Sequence, residues 1–457
     1  MTQRYWLERA WLRTQGDTGG QLATHADVRS SVLVAVENGR FATVATDVAQ
    51  PPPDAERLAG LTIPGLANCH SHAFHRALRG RTQRGRGTFW SWRDQMYAVA
   101  QRLTPDSYYE LARATYREMA AAGITSVGEF HYLHHGPEGK AYEQQNAMGL
   151  ALVEAARDAG VRIALLDTCY LSSGIGSPPE GVQVRYSDGD VSTWQQRVVD
   201  LADVLRDRKG VVVGAAIHSV RAVPRDQMPH VAAWAEAEQA PLHVHLSEQV
   251  AENEACVAAY GLTPAQVLAE AGVLGTRTSC VHATHLTDGD VGLLGASGAF
   301  AAFCPTTERD LGDGIGPSRR LARVGSRLTV GSDSHAVIDL FEEMRAVEMG
   351  ERLATHERGH WPAGELVTAA THHGHLSLGF PDAGRIEPGS RADLVTIDVA
   401  SPRTAGTGAG AETVVFAATT ADVVSVVADG EVVVSGADRR QIGADLDAAI
   451  SRGLDER

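Results

Sequence analysis

Three observations place this 457-residue chain in the α/β class, as a (β/α)8, TIM-like barrel carrying a small β-sandwich. Eight short apolar runs in its middle are separated by amphipathic helical stretches. Several of those runs end in a side chain able to hold a metal ion. Alternating, hairpin-like segments lie at both ends of the chain.

The first sixty residues read as β structure. SVLVAVENGRFATVAT is two alternating runs around Asn38-Gly39, a strong two-residue hairpin signal. Near the other end ADLVTIDV reads as a strand and VVSVVADGEVVVSG as a second hairpin, around Asp429-Gly430. Neither segment can bury its apolar face alone, so the two are expected to share one small sandwich. Between them LTIPGLA, ITSVGEF, RIALLDT, VVVGAAI, PLHVHL, TSCVHA, GAFAAFC and RLTVGS are the barrel strands. PDSYYELARATYREMAAAG, QQNAMGLALVEAARDAG and DLFEEMRAVEMGERLA are three of the helices between them. The expected division is 1–61 with 386–437 for the sandwich, 62–385 for the barrel and 438–457 for a terminal surface helix.

Composition narrows the function. The formal charge is −15 and no stretch is basic enough to follow a phosphate backbone, which argues against nucleic acid as a partner. No GxGxxG or Walker pattern follows a strand. No run is long enough to span a membrane, the N-terminus lacks the apolar core of a signal peptide, and the five cysteines form no CxxC pair. These features lead to the expectation of a cytoplasmic protein.

The chemistry starts at His70-Ser71-His72. Side chains at i and i+2 of an extended chain point the same way, so both imidazoles can reach one ion. His245 closes the run PLHVH, and Asp333 follows LTVGS. An HxH alone is weak, since histidines also serve as polar groups in turns; joined by His245 and Asp333 it becomes a three-imidazole, one-carboxylate set suited to Zn²⁺ or Fe²⁺. Zn²⁺ in such a site lowers the pKa of its water to about 7. Glu248, three residues past His245, is placed to shuttle the proton; its bland alternative is a solvated first-turn glutamate. His282 can polarise the substrate or stabilise the tetrahedral intermediate. His285 reads as peripheral, and His335 as a residue that can orient Asp333. The two-metal form of this barrel bridges its ions through a carboxylated lysine at the end of the fourth strand. The only lysines here are Lys140 and Lys209, and VVVGAAIHS has none, so one metal is expected.

HSHAFHRAL, TFWSWRDQMY, GEFHYLHH, HSVRAV, HVHLSEQ, VHATH, TTERDLGDGIGP and GSDSH together resemble the formimidoylglutamate deiminases, bacterial histidine-degradation enzymes of the amidohydrolase superfamily. The likeness runs from about Leu61 to the helix after Asp333. It implies one zinc per subunit on His70, His72, His245 and Asp333, with Glu248, His282 and Asp333 serving the hydrolysis of N-formimino-L-glutamate to N-formyl-L-glutamate and ammonia. It also implies substrate contacts from Arg221, Arg93, His218 and Tyr132. Arg guanidinium suits a small dicarboxylate because it can meet carboxylate bidentately. For Arg93 the competing reading is a surface arginine stacked on Trp90 or Trp92, and its loop could instead reach a neighbouring subunit's site. The chain departs from the family at His75, where glutamine is usual, which leaves the preferred substrate chain length open. A homodimer is expected for a barrel of this kind. Two rivals stand beside this reading: a deaminase of another formimino-amino acid or of an aromatic base or nucleoside, and a non-catalytic barrel that has lost its ligands.

Overall fold

The computed structural model of the chain describes residues 2–13, 26–83, 87–435 and 439–455. Fifteen strands form two sheets among these residues. The N-terminal segment contributes β1 (Gln3–Arg13), β2 (Ala26–Glu37), β3 (Arg40–Ala45) and β4 (Glu56–Pro64). The barrel strands follow as β5 (Leu66–Ser71), β6 (Ile124–His131), β7 (Arg162–Cys169), β8 (Val211–Ile217), β9 (Leu242–Leu246), β10 (Thr278–His282), β11 (Phe300–Phe303) and β12 (Arg327–Val330). The last three strands are β13 (Leu394–Ile397), β14 (Val423–Ala428) and β15 (Glu431–Ser435).

The two ends of the chain meet in one seven-stranded sheet, ordered β15-β14-β13-β4-β1-β2-β3. It folds over, so that Tyr5 Oη donates to the Gly430 carbonyl at 2.7 Å and the two hairpin turns touch. Both turns are the expected ones: Asn38 and Gly39 have φ of 52° and 75°, Asp429 and Gly430 have φ of 47° and 85°. Tyr5, Leu7, Val34, Phe41, Leu394 and Val427 fill the core between the folded halves.

Strands β5 to β12 are all parallel and neighbour one another in chain order, with helices between them. The apolar run LTIPGLAN is divided between the sheets. Its LTIP ends β4, which pairs with β13, and its LAN opens the barrel. Gly65 makes the step between them, and a Cβ there would sit 2.3 Å from Thr125 Oγ1, which leaves room only for hydrogen.

The barrel nearly closes, and the seam between β12 and β5 is made by the segments that carry the expected ligands. The Asp333 N–H donates to the His70 carbonyl at 3.0 Å, and the His72 N–H donates to the Asp333 carbonyl at 3.3 Å. Asn68 doubles the joint, accepting from the Ser332 N–H at 2.9 Å and donating to Ser332 Oγ at 2.7 Å. Such close approach needs Gly331, where a Cβ would meet the His70 backbone at 2.7 Å.

The helix Arg439–Asp455 packs Ile442, Leu446 and Ala449 onto Ala114 of the helix Pro105–Ala121. All five cysteines are free and buried. Among the described residues no helix is long and apolar enough to cross a membrane.

Candidate active site

The C-terminal ends of the barrel strands deliver the site, as expected of this architecture. His70 lies near the end of β5 and His72 follows it, His245 lies near the end of β9, His282 closes β10, and Asp333 follows β12. Both His282 (φ 68°) and Asp333 (φ 40°) occupy left-handed backbone. Non-glycine residues held there store roughly 1–3 kcal/mol each, strain that typically gathers at functional sites.

The four expected ligands converge. His70 Nε2 lies 3.1 Å from His245 Nε2 and 3.5 Å from Asp333 Oδ1, and His72 Nε2 lies 3.3 Å from the same oxygen. Four donors about 2.1 Å from one tetrahedral centre stand roughly 3.4 Å apart, so this set fits a single Zn²⁺-like ion. The donor chemistry fits too. His72 Nδ1 faces the Phe130 carbonyl at 3.0 Å and His245 Nδ1 faces the His218 carbonyl at 2.8 Å. Each carbonyl takes the ring proton, leaving the Nε2 lone pair aimed inward. Burial holds all three imidazoles below their ordinary range, so they stay neutral, and the neighbouring histidines hold Asp333 well below the carboxylate range despite its burial.

Glu248 and His282 stand beside this set. His282 Nε2 is 3.7 Å from Glu248 Oε1 and 3.8 Å from Asp333 Oδ2, while its Nδ1 faces Glu308 Oε1 at 3.3 Å. Burial opposes the charged imidazole, but the three carboxylates outweigh it and push His282 up to about 10. Burial raises Glu248, with Asp333 adding to it and His282 working against it.

One cavity holds these groups and the expected substrate contacts together: His75, Arg93, Tyr132, His218 and Arg221 all line it with Glu248, His282 and Asp333. His75 Nε2 and Tyr132 Oη share a hydrogen bond of 2.9 Å. Arg221 Nε donates to Glu252 Oε2 at 2.7 Å. Arg93 shows the stacking and also borders the cavity. Its guanidinium stacks on Trp90 with the carbon 4.4 Å from the ring centre, yet it lines the cavity, and its buried Nε has no hydrogen-bond partner among the described residues. His285 is not among the lining residues. His335 does not orient the Asp333 carboxylate: its ring nitrogens face Ser71 Oγ at 3.2 Å and Ser332 Oγ at 3.0 Å.

Several neighbours had no expectation attached. Tyr97, Tyr170 and Tyr186 wall the cavity. They come from one helix and two loops, so no periodicity links them. Asp313 offers an oxygen within 4.8 Å of donor atoms of Glu248 and His282, and burial pushes it up to about 9. It lies inside TTERDLGDGIGP, where acid density was the available signal. Glu252, Glu308 and Glu129 are buried acids behind the site. Glu129 was detectable as the lone charge in the apolar run ITSVGEF.

The model of the amidohydrolase family matches residues 61–433. A formimidoylglutamate deiminase from Pseudomonas aeruginosa is 37% identical over 363 residues, covering 76% of this chain and 78% of that one. A 5-methylthioadenosine/S-adenosylhomocysteine deaminase from Pelotomaculum thermopropionicum is 27% identical over 390 residues, covering 84% and 82%. The crystal structure of an amidohydrolase from Brucella melitensis superposes with a TM-score of 0.89 at 31% identity, covering 99% of this chain and all of that one. A zinc-bound adenosine deaminase structure from Xanthomonas campestris, at 22% identity, TM-score 0.83 and 98% coverage of both chains, shares the fold. With its converging donors, the neighbouring Glu248 and His282, and these relatives, the chain belongs to the amidohydrolase family and is a deaminase-type hydrolase of C–N bonds.

Proposed function

We propose that the protein hydrolyses N-formimino-L-glutamate to N-formyl-L-glutamate and ammonia, as a step of histidine degradation, with one Zn²⁺ per subunit. The observation that carries this reading is the pairing of two guanidinium groups, Arg93 and Arg221, with the hydrolytic residues in one cavity. A substrate with two carboxylates needs such a pair, and a neutral ring does not. The 37% identity to the Pseudomonas aeruginosa enzyme supports it.

His70, His72, His245 and Asp333 are the residues that would hold the ion, and when bound it supplies Lewis acidity and a nucleophile at neutral pH. The chain's own groups do the rest. Arg93 and Arg221 orient the two carboxylates, so that the amidine carbon faces Glu248. Glu248 accepts the proton of the attacking water and returns it to the departing nitrogen. His282, charged and held between Glu248, Asp333 and Glu308, faces the developing negative charge. Water adds across the C=N bond to give a tetrahedral carbon that bears a hydroxyl. The hydroxyl proton then passes to the departing nitrogen, the C–N bond breaks as the formyl C=O forms, and the nitrogen leaves as ammonia.

The test is ammonia release from N-formimino-L-glutamate by metal-replete protein, with N-formimino-L-aspartate beside it to read the effect of His75. No turnover of either would sink the assignment. The aromatic lining of Trp92, Tyr97, Tyr132, Tyr170 and Tyr186 favours a second reading, deamination of a purine nucleoside. That rival requires Arg221→Ala to retain activity on the nucleoside.

A further inference from the structure

Beneath the ligand-bearing turn runs a file of buried polar side chains that the reaction does not use. Asn68 Nδ2 donates to Ser332 Oγ at 2.7 Å, and Ser332 Oγ faces His335 Nδ1 at 3.0 Å. His335 Nε2 faces Ser71 Oγ at 3.2 Å, and Ser71 Oγ donates to Glu129 Oε2 at 2.6 Å. Glu129 Oε1 then accepts the Ala73 N–H at 2.7 Å. All five side chains in the file are wholly buried, at 0% exposure.

Its position is informative. Ser71 lies between the ligands His70 and His72, and Ala73 comes directly after them. One carboxylate therefore grips the ligand turn at two points. The file also joins three strands, from the end of β12 through β5 to β6. Its direction follows from counting protons. A hydroxyl has one to give. With the Ser71 proton on Glu129, His335 Nε2 must carry hydrogen to fill its contact with Ser71. Its Nδ1 must then accept from Ser332.

The charge balance points the same way. Among the described residues no lysine or arginine pairs with Glu129. Burial pushes this acid up to about 7, against Ser71, the Ala73 amide and Tyr116, which favour its ionised form. A buried carboxylate without a counter-charge is costly. A cation gripped by the two histidines on either side of Ser71 supplies one.

We propose that Glu129 is a positioning residue: through Ser71 and the Ala73 amide it presets His70 and His72 for their ion, and through Ser71 it fixes His335 as the Nε2–H tautomer. The proposal rests on those two histidines being ligands and not on which substrate is turned over.

Two measurements on the full-length chain test it. In Zn²⁺ competition against a chromogenic chelator, Glu129→Ala should bind about 10–100-fold more weakly than the parent, and Ser71→Ala should move the same way. Glu129→Gln keeps the shape, so it also covers the case in which the alanine variant does not fold. The amide cannot accept from both donors. Its carbonyl takes the Ala73 N–H, its amino group donates to Ser71, and Ser71 then donates to His335 Nε2, so the His335 proton moves to Nδ1. ¹⁵N NMR of histidine-labelled protein, on the alkaline side of pH 7 and with the signal assigned by its loss in His335→Gln, should report that tautomer reversal. A residue that merely fills space would leave the tautomer alone. The proposal is overturned if Glu129→Ala holds Zn²⁺ as tightly as the parent, or if Glu129→Gln leaves the His335 tautomer unchanged. Neither readout involves substrate, so a failed turnover assay and a failed positioning role are told apart.

Discussion

Arg221 is held edge-on by Glu252: its Nε donates to Glu252 Oε2 at 2.7 Å, while Glu252 Oε1 accepts the Ser247 N–H at 3.0 Å. The same carboxylate thus ties the guanidinium to the turn that carries Glu248. One edge of the fork is engaged, and Arg221 still lines the cavity. Glu252→Gln removes a charge-assisted bond worth about 1.5–3 kcal/mol. The expected outcome is a rise of about 10–100-fold in KM for a dicarboxylate substrate with a much smaller change in kcat, read from steady-state ammonia release. An equal loss in both parameters would show that Glu252 serves the chemical step instead.

In the proposed reaction Glu248 sets the acid limb. It must be ionised to accept a proton, and burial, reinforced by Asp333, raises it above the ordinary carboxylate value. As pH falls, the acceptor is therefore lost at a higher pH than an exposed glutamate would allow. The kcat/KM profile should fall on its acid side above about pH 4.3, the unperturbed glutamate value. Glu248→Gln should keep the metal and lose roughly 10²–10⁴ in kcat. A variant that turned over normally would remove Glu248 from the mechanism.

Asp333 has two jobs, and its loss should be visible in both. Its Oδ1 faces two ligand imidazoles, and its backbone closes the barrel seam. Asp333→Ala keeps the backbone bonds and deletes the carboxylate. Metal content measured by elemental analysis should drop along with activity, and excess Zn²⁺ should restore only part of either. Full occupancy in this variant would contradict the ligand assignment.

Much of this site was legible in the sequence because it is built on regular elements. The i, i+2 spacing of His70 and His72 has its meaning only in an extended chain, and β5 supplies one. His245 and His282 could be placed because each ends an apolar run. The aromatic wall was not legible: Tyr97 lies on the helix Phe89–Ala100, Tyr170 just after β7, and Tyr186 after a single 3₁₀ turn, and only the closed barrel brings them together. The division of LTIPGLAN between two sheets escaped for a related reason. Both halves are equally apolar, and the close approach that requires Gly65 is made by Thr125 and Asp393, far along the chain.

The junction between the sheet and the barrel depends on another distant pair. Arg162, at the start of β7, donates to Asp393, just before β13, through both terminal nitrogens, with the Nη1–Oδ1 contact at 3.0 Å. Both side chains are buried, at 4% and 1% exposure, and Asp393 Oδ1 also accepts the Asp429 N–H at 3.0 Å. Burial would raise the Asp393 pKa, but Arg162 outweighs it and holds the carboxyl below its ordinary range. This stabilisation is therefore present above the unfolded value of about 3.9 and is lost as pH falls through the lower folded value. Removing Asp393 leaves the buried Arg162 with the part-exposed Asp429 alone, 3.1 Å from its Nη1, so the loss stays below the about 3–5 kcal/mol of a fully stranded buried charge. Asp393→Ala should lower the free energy of urea unfolding at neutral pH by less than that, since Asp429 remains beside Arg162. Replacing both partners together, Arg162→Met with Asp393→Ala, should cost less than Asp393→Ala alone, because no buried charge is left unpaired. Equal losses in the single and double variants would mean that the pair is not energetically coupled and that the sheet is held to the barrel by its apolar contacts.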